Sequence, residues 1–262
     1  MPLSLLAGPA NAGKVALLLE RYLAALGSDP ILIVPNRPDV DRAERELLKR
    51  TGALVGGSIG TFDDVFEQIA RGNGAHRPVI TPAQRTLLLR RVVARASNRS
   101  ARFSGFADSL GTTVAELESA LLEPAELDGE LADLYAAYRE ELDRLDLWDR
   151  ELERRHAAER AAGDLAAWEP RPVFAYGFED LTGAEWSLLE ALSARADVTV
   201  SLPYEPGRDA FSSLSRTAED LGRLADGRIE ELPPSREARS PVLARLERGL
   251  FAAAEPATDG VE

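Results

Sequence analysis

Ala7-Gly8-Pro9-Ala10-Asn11-Ala12-Gly13-Lys14-Val15 is the stretch whose reading decides the fold. The apolar residues 3–7 lead into it, and Val15-Ala-Leu-Leu-Leu-Glu-Arg-Tyr-Leu leads out at helical spacing. The order is strand, glycine loop, helix. Gly8 and Gly13-Lys14 carry the spacing of a phosphate-binding P-loop, G-x-x-x-x-G-K-[ST]. Glycines there let successive backbone N–H groups converge on an anion, and the helix that follows aims its positive end at the same point. Lys14 would reach the outer phosphates as a point charge. The candidate nucleotide site is therefore Gly8, Pro9, Ala10, Asn11, Ala12, Gly13, Lys14 and Val15, and ATP is the cofactor it implies.

One position departs from the pattern. Val15 stands where a hydroxyl would ligate Mg²⁺, and it has no oxygen to offer. Mg²⁺ demands near-ideal octahedral oxygen coordination, so the loop is expected to hold phosphate and to handle the metal poorly. The plain alternative is a glycine turn before a helix, with Lys14 merely solvated. Composition counts against it: lysine occurs only at Lys14 and Lys49, against 29 arginines.

The 262 residues suffice for one large or two smaller domains with a core. The absence of cysteine excludes disulfides, thiolate metal sites and a cysteine nucleophile. His76 and His156 lie far apart in polar surroundings and read as surface residues; no metal site and no catalytic residue is assigned. No apolar run approaches the ~20 residues of a membrane span, and the first cation is Lys14, so the N-terminus lacks the basic n-region expected of a signal peptide. A cytoplasmic chain without membrane contact is expected. The formal net charge of −13 opposes tight nucleic-acid binding by this chain alone, because such binding runs on cations that displace counterions from phosphate.

Beyond the first helix, Pro30-Ile-Leu-Ile-Val-Pro35 reads as a buried strand and residues 39–50 as an amphipathic helix with Val40, Ala43, Leu47 and Leu48 on one face. Residues 54–59 make a weaker strand, and Thr61 caps a helix through Ala70. Strands alternating with helices at this pitch predict a parallel sheet. The pattern breaks at residues 72–78. Thr81-Pro82 opens a helix to Ala96, with Leu87, Leu88 and Val92 spaced for burial. Helices alone follow over roughly 105–122, 127–145 and 148–162. The sheet pattern returns with Val173-Phe-Ala-Tyr-Gly177, a helix over 182–195 and the strand Val198-Thr-Val-Ser-Leu202. Short helices over 217–224 and 242–251 alternate with polar linkers, and the last residues read as disordered. The expected architecture is a RecA-like α/β P-loop fold in two parts, residues 1–78 and 169–262, with an inserted all-helical subdomain over 79–168.

A P-loop ATPase also needs a carboxylate at the end of a neighbouring strand to hold Mg²⁺. The strand best placed ends in Tyr176-Gly177-Phe178-Glu179-Asp180-Leu181-Thr182. This stretch resembles the acidic motif of the UvrD-like superfamily 1 helicases, apolar-Asp-Glu-Phe-Gln-Asp before a Thr-capped helix. Phe178 and Asp180 stay in register, but Tyr176 and Gly177 occupy the two catalytic acidic positions. Glu179 and Asp180 read as charges preceding the helix that Thr182 caps. With a strand ending in Gly-Phe, the chain is similar to the N-terminal helicase-like region of AddB-type (AddAB/RecC-related) helicase–nuclease subunits. The pieces run in order: the early P-loop, Leu32-Ile-Val-Pro35, Gly60-Thr-Phe62, the helix over 82–94 and Leu134-Tyr135-Ala-Ala-Tyr138.

That resemblance implies a longer protein, whose second helicase-like domain and cysteine-bearing nuclease domain lie outside this chain. It implies a catalytic helicase–nuclease partner subunit and single-stranded DNA bound weakly by this chain alone. The DNA would run over Pro35, Asn36, Arg37, Thr61 and Phe62, where backbone N–H groups, Arg37 and the Thr61 hydroxyl meet phosphates. Phe62 would stack on a base or pack in the core. Trp148, Trp168 and Trp186 fall within helical or apolar patterns that suit core or interface roles. With metal- and water-handling groups absent at Val15, Tyr176 and Gly177, no efficient ATP hydrolysis is expected, since losing one preorganised contact typically costs on the order of 10²–10³ in rate. A nucleotide-binding regulator and an active P-loop NTPase or kinase using Glu179 or Asp180 stay open as alternatives.

Overall fold

The computed structural model describes residues 3–72, 76–96, 99–103, 105–163, 170–233 and 249. Strand β1 (Ser4–Gly8) opens an alternation of α1 (Lys14–Ala24), β2 (Ile31–Ile33), α2 (Arg37–Thr51), β3 (Ser58–Gly60) and α3 (Phe62–Arg71). Then come α4 (Pro82–Arg95), α5 (Phe106–Ser119), α6 (Glu130–Arg144) and α7 (Arg150–Gly163). The last described elements are β4 (Val173–Tyr176), α8 (Gly183–Ser193), β5 (Val198–Pro203), α9 (Ser215–Ala225) and β6 (Ile229–Glu231). The expected helix over 242–251, the polar tail and Trp168 lie outside the described residues. Among the described residues no helix is long and apolar enough to cross a membrane.

Two compact units make up the chain: residues 1–59, 171–180 and 193–262 in the first, residues 60–170 and 181–192 in the second. The first is built on a six-stranded sheet of order β3-β2-β4-β5-β1-β6, with parallel registers between β2 and β4, β4 and β5, β5 and β1, and β1 and β6. Ile31, Leu32 and Ile33 are all buried, as are Val173, Phe174 and Ala175. Strands buried on both faces carry continuous apolar runs instead of alternating ones, which explains why they stood out in the sequence. On one face Leu6, Leu18, Leu32, Leu47 and Phe174 form a cluster around Tyr22, whose ring meets Phe174 edge-on at 5.9 Å.

Several expectations shift. The sheet places β5 between β1 and β4, so the strand carrying Tyr176 is not the neighbour of β1. α2 begins at Arg37, two residues early, because the Asn36 side chain accepts the Asp39 N–H at 3.0 Å and caps it. Leu48 is exposed, off the buried face of that helix. The weak strand over 54–59 contracts to Ser58–Gly60, since Gly56 and Gly57 adopt positive φ. The edge strand β6 falls where the sequence reads as a polar linker; all its residues are exposed, and pairing with β1 alone makes it a strand.

In the second unit α3 and α7 lie together. The Arg154 guanidinium reaches Asp63 at 2.6 Å, and Arg160 donates to the Ile69 and Ala70 carbonyls at the end of α3, at 2.9 and 3.2 Å. Leu88, Leu89 and Val92 of α4 pack with Leu110 and Val114 of α5 and with Tyr135, Tyr138 and Leu142 of α6. Leu87 is 65% exposed, against expectation. Three consecutive leucines leave the helix face ambiguous, and Leu89 turns inward in its place. The histidines are not isolated surface residues either. The backbone of Pro78 and Ile80 bonds to Trp148 at 3.0 and 2.8 Å, which brings His76 and His156 to within 5.7 and 4.5 Å of the Trp148 ring.

A charged cluster is buried among these helices. Glu118 of α5 is 3% exposed, and among the described residues neither carboxyl oxygen has a hydrogen-bond partner. Arg85 of α4 stands 3.9 Å away and Arg139 of α6 3.8 Å away. Asp149, also buried, accepts the Tyr138 hydroxyl at 2.7 Å and the Leu152 N–H at 3.0 Å. Burial, then the negative charge of Asp149, raises the Glu118 carboxyl from 4.5 to about 9, against the opposing pull of Arg139 and Arg85. The folded chain then holds a proton that the unfolded chain has released, so stability falls as pH rises from about 4.5 to about 9. Thermal melts across that window are expected to show the fall, and Glu118→Gln is expected to flatten it.

Candidate functional site

The loop after β1 folds as its glycines require. Gly8 has φ +154°, and a Cβ there would lie 2.6 Å from the Leu232 carbonyl oxygen. Gly13 takes the left-handed conformation at φ 83° and starts α1. Asn11 is also left-handed, at φ 59°, a conformation asparagine tolerates better than most residues. The Leu17 N–H closes the first helical turn onto the Gly13 carbonyl at 3.0 Å, so the N–H groups of Lys14, Val15 and Ala16 precede the helical ladder. No acidic residue occupies this turn. The helix therefore presents positive potential and free donor geometry to an anion.

Lys14 is turned into this loop. It is only 7% exposed, and its ammonium donates to the carbonyls of Gly8 at 2.8 Å and Pro9 at 2.5 Å. Burial lowers its pKa from the ordinary lysine value. Among the described residues the ammonium is held by carbonyl dipoles and meets no carboxylate, which suits it to receive a phosphate. Val15 is 40% exposed and brings no oxygen.

At the end of β4, Tyr176 packs at the margin of the cluster around Tyr22. Burial, then Asp39, raises its phenol above the ordinary value, so it stays protonated. Gly177 has φ +89°, and a Cβ there would meet the Pro35 ring at 3.0 Å. Both features penalise a side chain at this position. Glu179 and Asp180 are exposed. In the second unit Thr182 and Glu185 form a reciprocal cap at the start of α8, with bonds of 2.8 and 3.3 Å.

The candidate DNA-contacting residues are divided between the units. In the first, Pro35, Asn36 and Arg37 are exposed, with the Asn36 side chain engaged in capping. In the second, the Thr61 hydroxyl is bound to Asp64 in a capping box, at 2.9 Å. Phe62 is 3% exposed and lies beside Phe66, so its ring is part of the core rather than a base platform. Thr61→Ala is expected to cost about 1 kcal/mol by loss of the cap, measured by denaturant melts.

Sequence reasoning missed a cavity of about 500 Å³ in the first unit, lined by Gly8 and Pro9 of the loop, Tyr204 and Glu205 after β5, α9 and the end of β6. The Tyr204 N–H donates to the Gly8 carbonyl at 3.0 Å, joining the two segments. Its one sequence signal was Tyr204-Glu205-Pro206 directly after an apolar strand; that this strand lies beside β1 is a matter of sheet order, which spacing does not give.

No protein-family model matches the chain. Over 295 aligned residues it is 29% identical to a protein of Moorella thermoacetica, with the alignment covering 94% of this chain and 26% of that protein. The chain spans about a quarter of the length of that curated relative. What it is similar to, over nearly all of its own length, is one part of an ATP-dependent helicase/deoxyribonuclease subunit.

Proposed function

We propose that this chain is the helicase-like module of an AddB-like component of a DNA-repair helicase–nuclease, inactivated as an ATPase and serving as a scaffold for single-stranded DNA and a catalytic partner subunit. The observation that carries this reading is a phosphate loop kept while its metal chemistry is lost. Lys14 is buried and aimed into the loop, whereas Val15 has no side-chain oxygen and position 177 carries a glycine at φ +89°, a conformation that side chains rarely adopt. Hydrolysis needs a metal, a positioned water and a compensated leaving group; binding a polyphosphate needs only the N–H groups and the lysine. Similarity to a helicase/deoxyribonuclease subunit supports a partner subunit and a DNA ligand, and a cytoplasmic location is part of the same proposal. The net charge of −13 keeps DNA affinity weak until a partner contributes cations. A phosphate-release assay with ATP, Mg²⁺ and single-stranded DNA tests the reading. Release no faster than from Lys14→Ala agrees with it, and DNA-stimulated turnover refutes it.

A further inference from the structure

The cavity beside the loop after β1 opens along the edge of the sheet. β6 is the last strand in the sheet order and pairs with β1 alone among the described residues. On either side of it, the Leu5 N–H donates to the Arg228 carbonyl at 3.0 Å and the Leu232 N–H donates to the Ala7 carbonyl at 2.8 Å. Backbone groups alternate sides along a strand, so Ile229 and Glu231 turn their N–H and C=O groups to the open edge. The side chains of these same two residues line the cavity, a space of about 500 Å³ with further walls from Leu5, Ala218 and Tyr204. An apolar cavity therefore stands beside unpaired backbone donors and acceptors.

We propose that this edge docks an extended segment of a partner protein, one that alternates basic residues with apolar ones and joins the six-stranded sheet as a further strand. The inference goes beyond the phosphate reading of residues 8–15 and does not depend on it. In this mode main-chain hydrogen bonds to the edge supply affinity, and pockets for alternate side chains supply specificity. The cavity takes an apolar anchor, and charge selects the rest. Glu205, Glu219 and Glu231 line the cavity. Arg208 holds Glu205 at 2.9 Å, and Arg21 holds the adjacent Glu230 at 2.5 Å. Glu219 and Glu231 are left without a cation among the described residues. A second copy of β6 would set Glu230 and Glu231 against themselves, and like charges facing each other across a strand pair are destabilising. A short acidic edge thus rejects its own copies, repels phosphate and accepts a basic strand.

Titration of the isotope-labelled full chain with an acetylated nonapeptide alternating arginine and valine tests this, with amide hydrogen exchange read residue by residue. Saturable binding is expected, and at ten times the Kd exchange at Ile229 and Glu231 is expected to slow about tenfold. Glu219→Lys combined with Glu231→Lys, both at exposed positions, is expected to weaken the peptide about tenfold or more while leaving the circular dichroism spectrum unchanged. The same peptide N-methylated at alternate residues keeps its charges and loses its edge donors, and it is expected to bind at least about tenfold more weakly. Equal affinity of the methylated peptide overturns the proposal, because charge alone would then hold the segment. Protection confined to other segments, or no saturable binding at millimolar peptide, overturns it as well. Amides of Ile229 and Glu231 already protected in the free chain would mean that the chain covers this edge itself, which also overturns it.

Discussion

Gly177→Glu is expected to lower the stability of the chain by about 2–6 kcal/mol and to restore no ATP hydrolysis. Two separate costs combine. A side chain at φ +89° holds a non-glycine residue in a sparsely populated conformation, about 1–3 kcal/mol. The new Cβ would also press on the Pro35 ring at 3.0 Å, overpacking that typically costs ~1–3 kcal/mol. Pro35 cannot swing away as a flexible side chain would, because its ring is closed onto the backbone. Denaturant melts measure the stability, and phosphate release from the folded fraction measures the activity. A variant as stable as its parent would mean that the turn after β4 can accept a carboxylate, and the loss of the acidic motif would need another cause.

Lys14→Ala is expected to weaken tripolyphosphate binding about 100-fold, or ~2.7 kcal/mol, with an unchanged circular dichroism spectrum. The ammonium makes its bonds to the Gly8 and Pro9 carbonyls inside the loop, and a phosphate replaces dipoles with full negative charge. Charged hydrogen bonds contribute about 1.5–3 kcal/mol each, so losing one or two gives an effect of this size. Lys14→Arg is not expected to rescue it: the planar guanidinium is larger and needs a fork of acceptors, and Lys14 is 7% exposed in a tight loop. An affinity that survives Lys14→Ala would place the anion elsewhere.

The features legible in the sequence are those set by local chemistry. Glycines at 8 and 13, the caps at Thr61, Thr81 and Thr182, and the apolar runs of β2, β4 and β5 each carry a cause within a few residues of themselves. What escaped depends on distant segments. β6 is three exposed residues that become a strand only by pairing with β1. The insertion of β5 between β1 and β4 is a lateral order that no periodicity encodes. Glu118 reads as a solvated charge until α4 and α6 bring Arg85 and Arg139 around it. His76 meets Trp148 because residues 78–80 run beside it. At the candidate site the loop was readable residue by residue, whereas the cavity formed by Tyr204, Glu205 and the end of β6 was not.

On the proposed function, residues 8–15 hold an anion without the metal. Titration of a fluorescent ATP analogue with and without Mg²⁺, in the parent chain and in Lys14→Ala, tests it most directly. The account predicts binding that Mg²⁺ does not strengthen and that Lys14→Ala abolishes. Affinity raised strongly by Mg²⁺ would contradict it, because it would require an oxygen ligand that neither Val15 nor Gly177 supplies.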